Sequence, residues 1–304
     1  MSKISFIKSE DRKYNIGRCL SLLKSEIIAG LRDAKRVVVL AYCPNEKINA
    51  AAVNFEAIGA VMKFIRPYTS AQITLAAGTE TGDTLTAFKN FHYLTLQEEY
   101  DFTISDLNSD ETCPIGLLDR KGRKIQAQIS RTIADSDYLI SIALPKTHSE
   151  LVYTGVVGDS AIGAVSRSTT NVASAISSRL GIIKNDKAIV FQGNFYTHQN
   201  IKKLFSSLPV RLAVLDGYEI MEGEGPLQGD LSVGHFAIAS SDVPAVDWLT
   251  CQILGINIDD VGYLKLIDDE DEVRSDYFVI GDTWQKYIKK IKMPSNFDKI
   301  KEWK

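Results

Sequence analysis

The sequence predicts an α/β fold, a mostly parallel sheet with helices on both of its faces, and three observations predict it. Apolar runs bounded by turn residues alternate with stretches of helical period through most of the 304 residues, the order that builds strand–helix–strand units. Two of the runs, RVVVLAY at 36–42 and YLISIAL at 138–144, are apolar throughout, as strands buried on both faces require. A hydrophobic fraction of 45% and a charged fraction of 24% are those of an ordinary globular chain, long enough here to bury a full core. No internal repeat or low-complexity linker divides it. It therefore reads as a single α/β domain over 1–304, and a division into two lobes near 150–171 stays open.

Taken in order, Ile4, Phe6 and Ile7 within the polar first 13 residues suit an edge strand. From Tyr14 to Leu31 the apolar residues Ile16, Leu20, Leu23, Ile27, Ile28 and Leu31 recur at three and four positions and predict one amphipathic helix. The strand at 36–42 ends at Cys43-Pro44-Asn45, where proline removes a ladder donor. A helix from Ala50 to Ile65, a strand at Ile73–Ala76, a glycine-containing loop at 78–83 and a helix from Thr84 follow. Phe102–Leu107 reads as a strand, Asp119–Gly122 as the turn of a hairpin and Ile129–Ala134 as a short helix. Beyond the strand at 138–144, Tyr153–Asn171 is so rich in Gly, Ser, Thr and Ala that it predicts a long loop of the kind used as a lid. Helices at Val172–Leu180 and Gln199–Leu208 flank a strand at Ala188–Phe191. Leu212–Leu215 is a buried strand that stops at Asp216-Gly217, an acidic loop carries Glu219, Glu222, Glu224 and Asp230, and His235–Ala239 is the next strand. A helix from Pro244 to Leu254, another from Val261 into the acidic turn Asp268–Glu272, a strand at Tyr277–Ile280 and a lysine-rich cap over 284–304 complete the chain.

The net charge of −3 argues against a nucleic-acid binder, which needs a basic face. Cys19, Cys43, Cys113 and Cys251 form no C-x-x-C pair, so no zinc or iron–sulfur motif is present, and reduced thiols suit a cytoplasmic protein. The first residues lack the apolar segment of a signal peptide, and no run approaches the roughly 20 apolar residues of a membrane span.

Loops at the carboxyl ends of parallel strands gather into the ligand crevice of an open α/β sheet. Lys146 and His148 directly follow the run at 138–144, and alternate side chains of an extended segment point the same way, which sets an ammonium beside an imidazole. Such a pair could grip a carboxylate or phosphate, or Lys146 could act as a base once desolvated. Asp216, Glu222, Glu224 and Asp242 could offer hard oxygen ligands to a divalent metal or iron, with His148 or His235 as a nitrogen donor. The plain structural alternative is that Asp216 and Asp242 cap turns or helices and that Asp247 favours its own helix dipole.

Three stretches resemble the family known as domain of unknown function 362: Leu144-Pro145-Lys146-Thr147-His148; Leu215-Asp216-Gly217 with Met221-Glu222-Gly223-Glu224-Gly225-Pro226; and Ser241-Asp242-Val243-Pro244-Ala245-Val246-Asp247. Pro44-Asn45 is a fainter echo of the family's turn after its first buried strand. The resemblance spans about residues 36 to 282. It implies an α/β protein of a kind often found beside ferredoxin modules, hence a possible separate redox partner, although this chain carries no such module. The chain departs from the family after Thr154-Gly155, showing Asp159-Ser160 where a Lys-Asn pair is usual and Arg167 with no His before His198. The expectation is an enzyme for a small anionic metabolite. Lys146, His148, Asp216 and Glu222 would share one catalytic pocket, Asn45, Thr147, Arg167, Gly217, Gly223 and Gly225 would bind substrate, and Glu224 and Asp242 would ligate a metal. The alternative is a noncatalytic binding or assembly protein that has lost the family's chemistry.

Overall fold

The computed structural model describes residues 2–167, 186–271 and 277–304. Strand β1 (Ser2–Lys8) is followed by α1 (Arg12–Leu22) and α2 (Lys24–Leu31), two helices where the periodicity predicts one. The break at Leu23, whose N–H bonds back to Leu20 and Ser21, lets Leu23, Ile27 and Leu31 turn into the core. Strand β2 (Arg36–Ala41), helix α3 (Phe55–Ile65, capped by Asn54), β3 (Gln72–Ala77), α4 (Thr84–Asn90) and β4 (Thr103–Asp106) come next. The hairpin around 119–122 forms its own two-stranded sheet, β5 (Thr112–Leu118) with β6 (Lys124–Ser130), and the short helix α5 (Arg131–Ala134) leads to β7 (Tyr138–Ala143).

After β7 the chain makes β8 (Lys146–His148), β9 (Val152–Thr154) and helix α6 (Val156–Ala164). The expected lid at 153–171 is thus, over its described part, a strand end and a helix. All nine residues of α6 are buried, so it has no polar face and no helical period to detect. Its small residues let the backbone come close: a Cβ on Gly158 would sit 3.0 Å from Thr154 Cγ2. The expected helix at 172–180 lies outside the described residues, and the expected strand at 188–191 is a 3-10 turn, Asp186–Val190.

Helix α7 (Asn194–Ser206) precedes β10 (Val210–Glu222), which runs straight through Asp216-Gly217 and pairs antiparallel with β11 (Asp230–Ser240). The sequence suggests a turn there because Asp-Gly is turn chemistry; the glycine is needed instead because a Cβ would lie 2.2 Å from the Phe236 ring. Helix α8 (Val243–Ile253), α9 (Gly262–Asp271), β12 (Tyr277–Gly281) and α10 (Phe297–Ile300) end the chain. Of the expected acidic turn at 268–272, residues 268–271 continue α9 and 272 lies outside the described residues.

The main sheet has the order β12-β1-β11-β10-β7-β2-β3-β4, with β8 joined to β10 and β9 to β8. Strands β10, β7, β2, β3 and β4 are parallel, and β11 runs against both neighbours. From β2 the winding proceeds through β3 to β4, whereas β7 and β10 lie on the other side of β2. The carboxyl ends of β2 and β7 therefore flank the point where the winding reverses. Helices α1 and α3 pack together on one face, and α6 packs on α7 and α8 on the other, as right-handed crossovers require. Among the described residues no helix is long and apolar enough to cross a membrane.

Candidate functional site

At the reversal point Lys146 leaves the end of β7 and turns under the α6 face. Its Nζ lies 2.5 Å from Asp159 Oδ2, 3.4 Å from the Leu144 carbonyl and 4.5 Å from the centre of the Tyr42 ring. The two side chains of the pair are 0% and 1% exposed, so neither charge is shared with water. Burial pushes the Asp159 carboxyl up to about 6, against the pull of the Lys146 ammonium. Its Oδ1 and the neighbouring Thr154 hydroxyl are buried, and the geometry between them falls short of a hydrogen bond.

Tyr42, at the end of β2, donates its hydroxyl to Glu80 Oε1 at 2.5 Å, and the Glu80 N–H holds the loop to Pro44 O at 2.8 Å. Lys187 is buried in the same electrostatic cluster, with Nζ 2.7 Å from Gly78 O and 3.3 Å from Gly163 O. Burial brings it down to about 8, with the Glu80 charge opposing that fall and Arg167 adding to it. Arg167 is placed by its backbone N–H, which donates to Asn108 Oδ1 at 3.0 Å.

The expected catalytic residue His148 and the neighbouring residues expected to bind substrate have internal partners. His148 stacks on Phe191 at 5.6 Å, accepts the Glu150 N–H at Nδ1 and, by burial and then the Lys146 charge, is brought down to about 3, so it is a neutral imidazole. Thr147 donates to Gly223 O at 2.9 Å, and a Cβ on Gly225 would lie 2.1 Å from Thr147 O. Gly223 has φ +81. These two glycines let the hairpin tip close on β8. Asn45 accepts the Lys47 and Ile48 N–H groups and shapes the loop after β2.

The acidic residues divide away from Lys146. Asp216 sits just beyond the parallel register of β10, but on the α1 face, where Arg12 Nε lies 3.1 Å from Oδ2. Burial raises it to about 6, with Arg12 opposing. Arg12 also meets Glu219 at 2.8 Å, Glu56 at 3.7 Å and the Tyr218 ring at 4.5 Å, beside a cavity of about 170 Å³ reached by Asn49, Asn54 and Leu144. Glu222 and Glu224 bind the C-terminal segment, accepting the Lys292 and Ser295 N–H groups at 2.8 and 2.7 Å. Asp242 caps α8 through Ala245 N–H. The expectation of one pocket holding Lys146, His148, Asp216 and Glu222 is corrected accordingly: alternation along β10 sends Asp216 to the face opposite Asp159, and the hairpin tip gives Glu222 to the tail. Among the described residues no three His, Cys, Asp or Glu side chains come together as metal ligands.

Asp247 does not serve its own helix. Fully buried, it accepts Val156 and Val157 N–H at 2.8 and 2.9 Å, capping α6, and the Tyr153 hydroxyl at 3.2 Å. Burial lifts it to about 7 while those N–H groups pull it back. Sequence reasoning also missed Tyr42, Glu80, Asp159 and Lys187. The only sequence signal for Asp159 was its departure from the family's pattern, and for Glu80 its place in a loop after a strand.

The solved structures similar to this chain include lactate racemase apoprotein from Thermoanaerobacterium thermosaccharolyticum, with a TM-score of 0.53 at 14% identity, covering 84% of this chain and 57% of that one. A protein from Thermotoga maritima gives a TM-score of 0.46 at 12% identity, covering 91% of this chain and 62% of that one. The chain thus spans less than two thirds of the length of either, and the first likeness concerns the α/β fold alone. No curated protein matches it in sequence. Residues 38–252 match the family described as Domain of unknown function (DUF362); the match covers more than half of the chain, which belongs to that family.

Proposed function

We propose that the protein is an enzyme acting on a small anionic molecule held where the carboxyl ends of β2 and β7 diverge. The observation that carries this reading is the fully buried Lys146–Asp159 pair at that point. Buried ions cost several kcal/mol each even when matched, and strongly perturbed groups concentrate at functional sites. Around the pair, three cations (Lys146, Lys187, Arg167) face three carboxylates (Asp159, Glu80, Asp106), so a ligand anion would be drawn by the individual buried cations, Lys146 and Lys187, and not by a net surplus of charge. The cavity beside Asp216 is lined by Arg12 and two carboxylates, Asp216 and Glu219, and suits an anion poorly.

Lys187, brought down to about 8, is partly neutral near neutral pH, and Asp159 is lifted to about 6. Two groups moved towards neutrality from opposite sides suit proton transfer to and from a bound anion. The fold neighbour's name specifies lactate, a small hydroxycarboxylate, which accords with that ligand class. Among the described residues no three potential metal ligands gather at this point. One observation favours a noncatalytic binder instead: the Lys146 ammonium already has Asp159, the Leu144 carbonyl and the Tyr42 ring as partners.

The experiment is a thermal-shift survey of lactate, other small carboxylates and inorganic phosphate on the wild type and on Lys146→Met/Asp159→Leu. Replacing both partners by apolar residues avoids leaving a lone buried charge. At least one anion should raise the wild-type Tm by several degrees and leave the double variant unmoved. Equal shifts in both proteins, or none in either, would count against the site. Exchange of substrate protons with deuterated water then separates an enzyme from a binder.

A further inference from the structure

A groove of about 910 Å³ lies outside this site, on the solvent side of the α1–α3 helix pair. Its lining includes small residues from both helices, Gly17 and Ser21 on α1 and Gly59 and Ala60 on α3, with Leu96 of the 3-10 turn Tyr93–Glu98 packed over Gly59. A Cβ on Gly17 would meet nothing within 4 Å, so the floor there is open space. Side chains this small between two adjacent helices leave a trough in which the ridge of a third helix can lie.

The walls are aromatic. Tyr14 is 55% exposed and forms the α1 wall. Phe64 and Tyr68 stand together on the α3 side with ring centres 5.6 Å apart and planes at 58°. That tilt, and Lys24 Nζ 5.0 Å over the Tyr68 ring, leave no pair of parallel faces between which a planar base could slide. The walls are shaped for side chains entering from above.

Charge selects among possible helices. Arg18 and Lys63, exposed on α1 and α3, have no ion pair among the described residues, and Lys24 has only its ring contact. Of the lining carboxylates, Asp11 is occupied as the cap of α1, and Glu98 and Glu99 stand on the separate wall made by the 3-10 turn Tyr93–Glu98 and its end. On the α1–α3 side Lys13 is paired with Glu56, while Arg18, Lys24 and Lys63 have no carboxylate partner among the described residues and give that side a basic excess over Asp11. The 11-residue α3 measures roughly 16 Å, about three turns of a docked helix.

We propose that this groove receives an acidic amphipathic helix of a partner protein. Large apolar side chains of the partner enter between Tyr14 and the Phe64–Tyr68 pair, and its flanking carboxylates meet Arg18, Lys24 and Lys63. The rim charges set the on-rate and make binding weaken with salt, while the aromatic walls hold the helix.

The test uses a displayed library of helix-forming peptides, about 15 residues long, selected on the wild type. Enriched peptides are then measured on Ser21→Trp, which fills the floor, and on Arg18→Glu/Lys63→Glu, which inverts the rim. All three proteins should share a Tm within a few degrees, since the altered side chains are exposed. Enriched peptides should be acidic and amphipathic, and should lose about tenfold or more in affinity on each variant. Enrichment of peptides without acidic residues, affinities unchanged by both variants, or no enrichment would overturn the proposal. So would concentration-dependent dimerisation abolished by Ser21→Trp, which would give the groove to a second copy, or nucleotide binding abolished by it.

Discussion

Two ion-pair regions stand at the carboxyl edge of the sheet, on opposite faces, and they grow from the same sequence signal of a charged residue just past a buried strand. On the α6 face, Lys146 and Asp159 are both out of water, and the buried Lys187 stands in the same cluster with Glu80, Asp106 and Arg167. On the α1 face, Arg12 and Asp216 are 9% and 5% exposed, but Glu219 and Glu56 beside them are 45% and 36% exposed, so solvent takes up the excess charge. The helix layer makes the difference. Helix α6 is buried on every side and seals what it covers, whereas α1 presents a polar face to solvent. Position along a strand brings a charge to the edge; the layer above it decides whether that charge must be matched inside the protein.

The comparison breaks most visibly in Lys146→Met. Asp159 is left buried without a countercharge, and stability should fall by about 3–5 kcal/mol at pH 8, measured by denaturant unfolding. Burial already raises this carboxyl to about 6 in the wild type, and loss of Lys146 raises it further. A folded value above the unfolded one means that the folded state binds the extra proton. Stability is therefore retained below the unfolded value near 3.8 and lost as pH rises through the folded one, so the deficit of the variant should shrink from pH 8 to pH 5. A deficit unchanged by pH would show that Asp159 is not the group left bare.

Arg12→Met should cost less, about 2–3 kcal/mol, because Glu219 and Glu56 can turn to water and only Asp216 stays enclosed. Equal losses in the two variants would erase the distinction between the faces. His148 sharpens it with the opposite pH sign. It is brought down to about 3 from 6.5, so the unfolded chain takes up a proton first as pH falls below 6.5. The wild type should lose about 2 kcal/mol from this residue by pH 5, a loss absent in His148→Gln. Smallest of all, Glu224→Gln should change global stability by under about 1 kcal/mol, because its contact with the tail is exposed. It should instead speed proteolytic cleavage near Ser295.

The parallel sheet was legible because its strands are apolar runs closed by turn residues, and β2 and β7 stand within a residue of their expected bounds. Helix α6 was not, since total burial removes the period that marks a helix, and its Gly, Ser and Ala residues imitate a loop. The β10–β11 hairpin was hidden by Asp216-Gly217, where glycine answers to the Phe236 ring rather than to a turn. At the candidate site Lys146 was legible from its place after a strand. Asp159, Lys187 and Tyr42 were not, because their meeting depends on which face each element covers. The same limit misplaced Asp216: sequence shows that it lies at the edge, and only the packing of α1 shows on which side.

The account's central claim is that the anion belongs to the Lys146 side of the edge and not to the Asp216 side. The most direct measurement is titration calorimetry with the anion that gives the largest thermal shift, on the wild type, Lys187→Met and Arg12→Met. Affinity should fall at least about tenfold in Lys187→Met, where the cluster loses a buried cation, and stay within about twofold in Arg12→Met. Binding lost in Arg12→Met and kept in Lys187→Met would contradict the claim and move the site to the other face of the sheet.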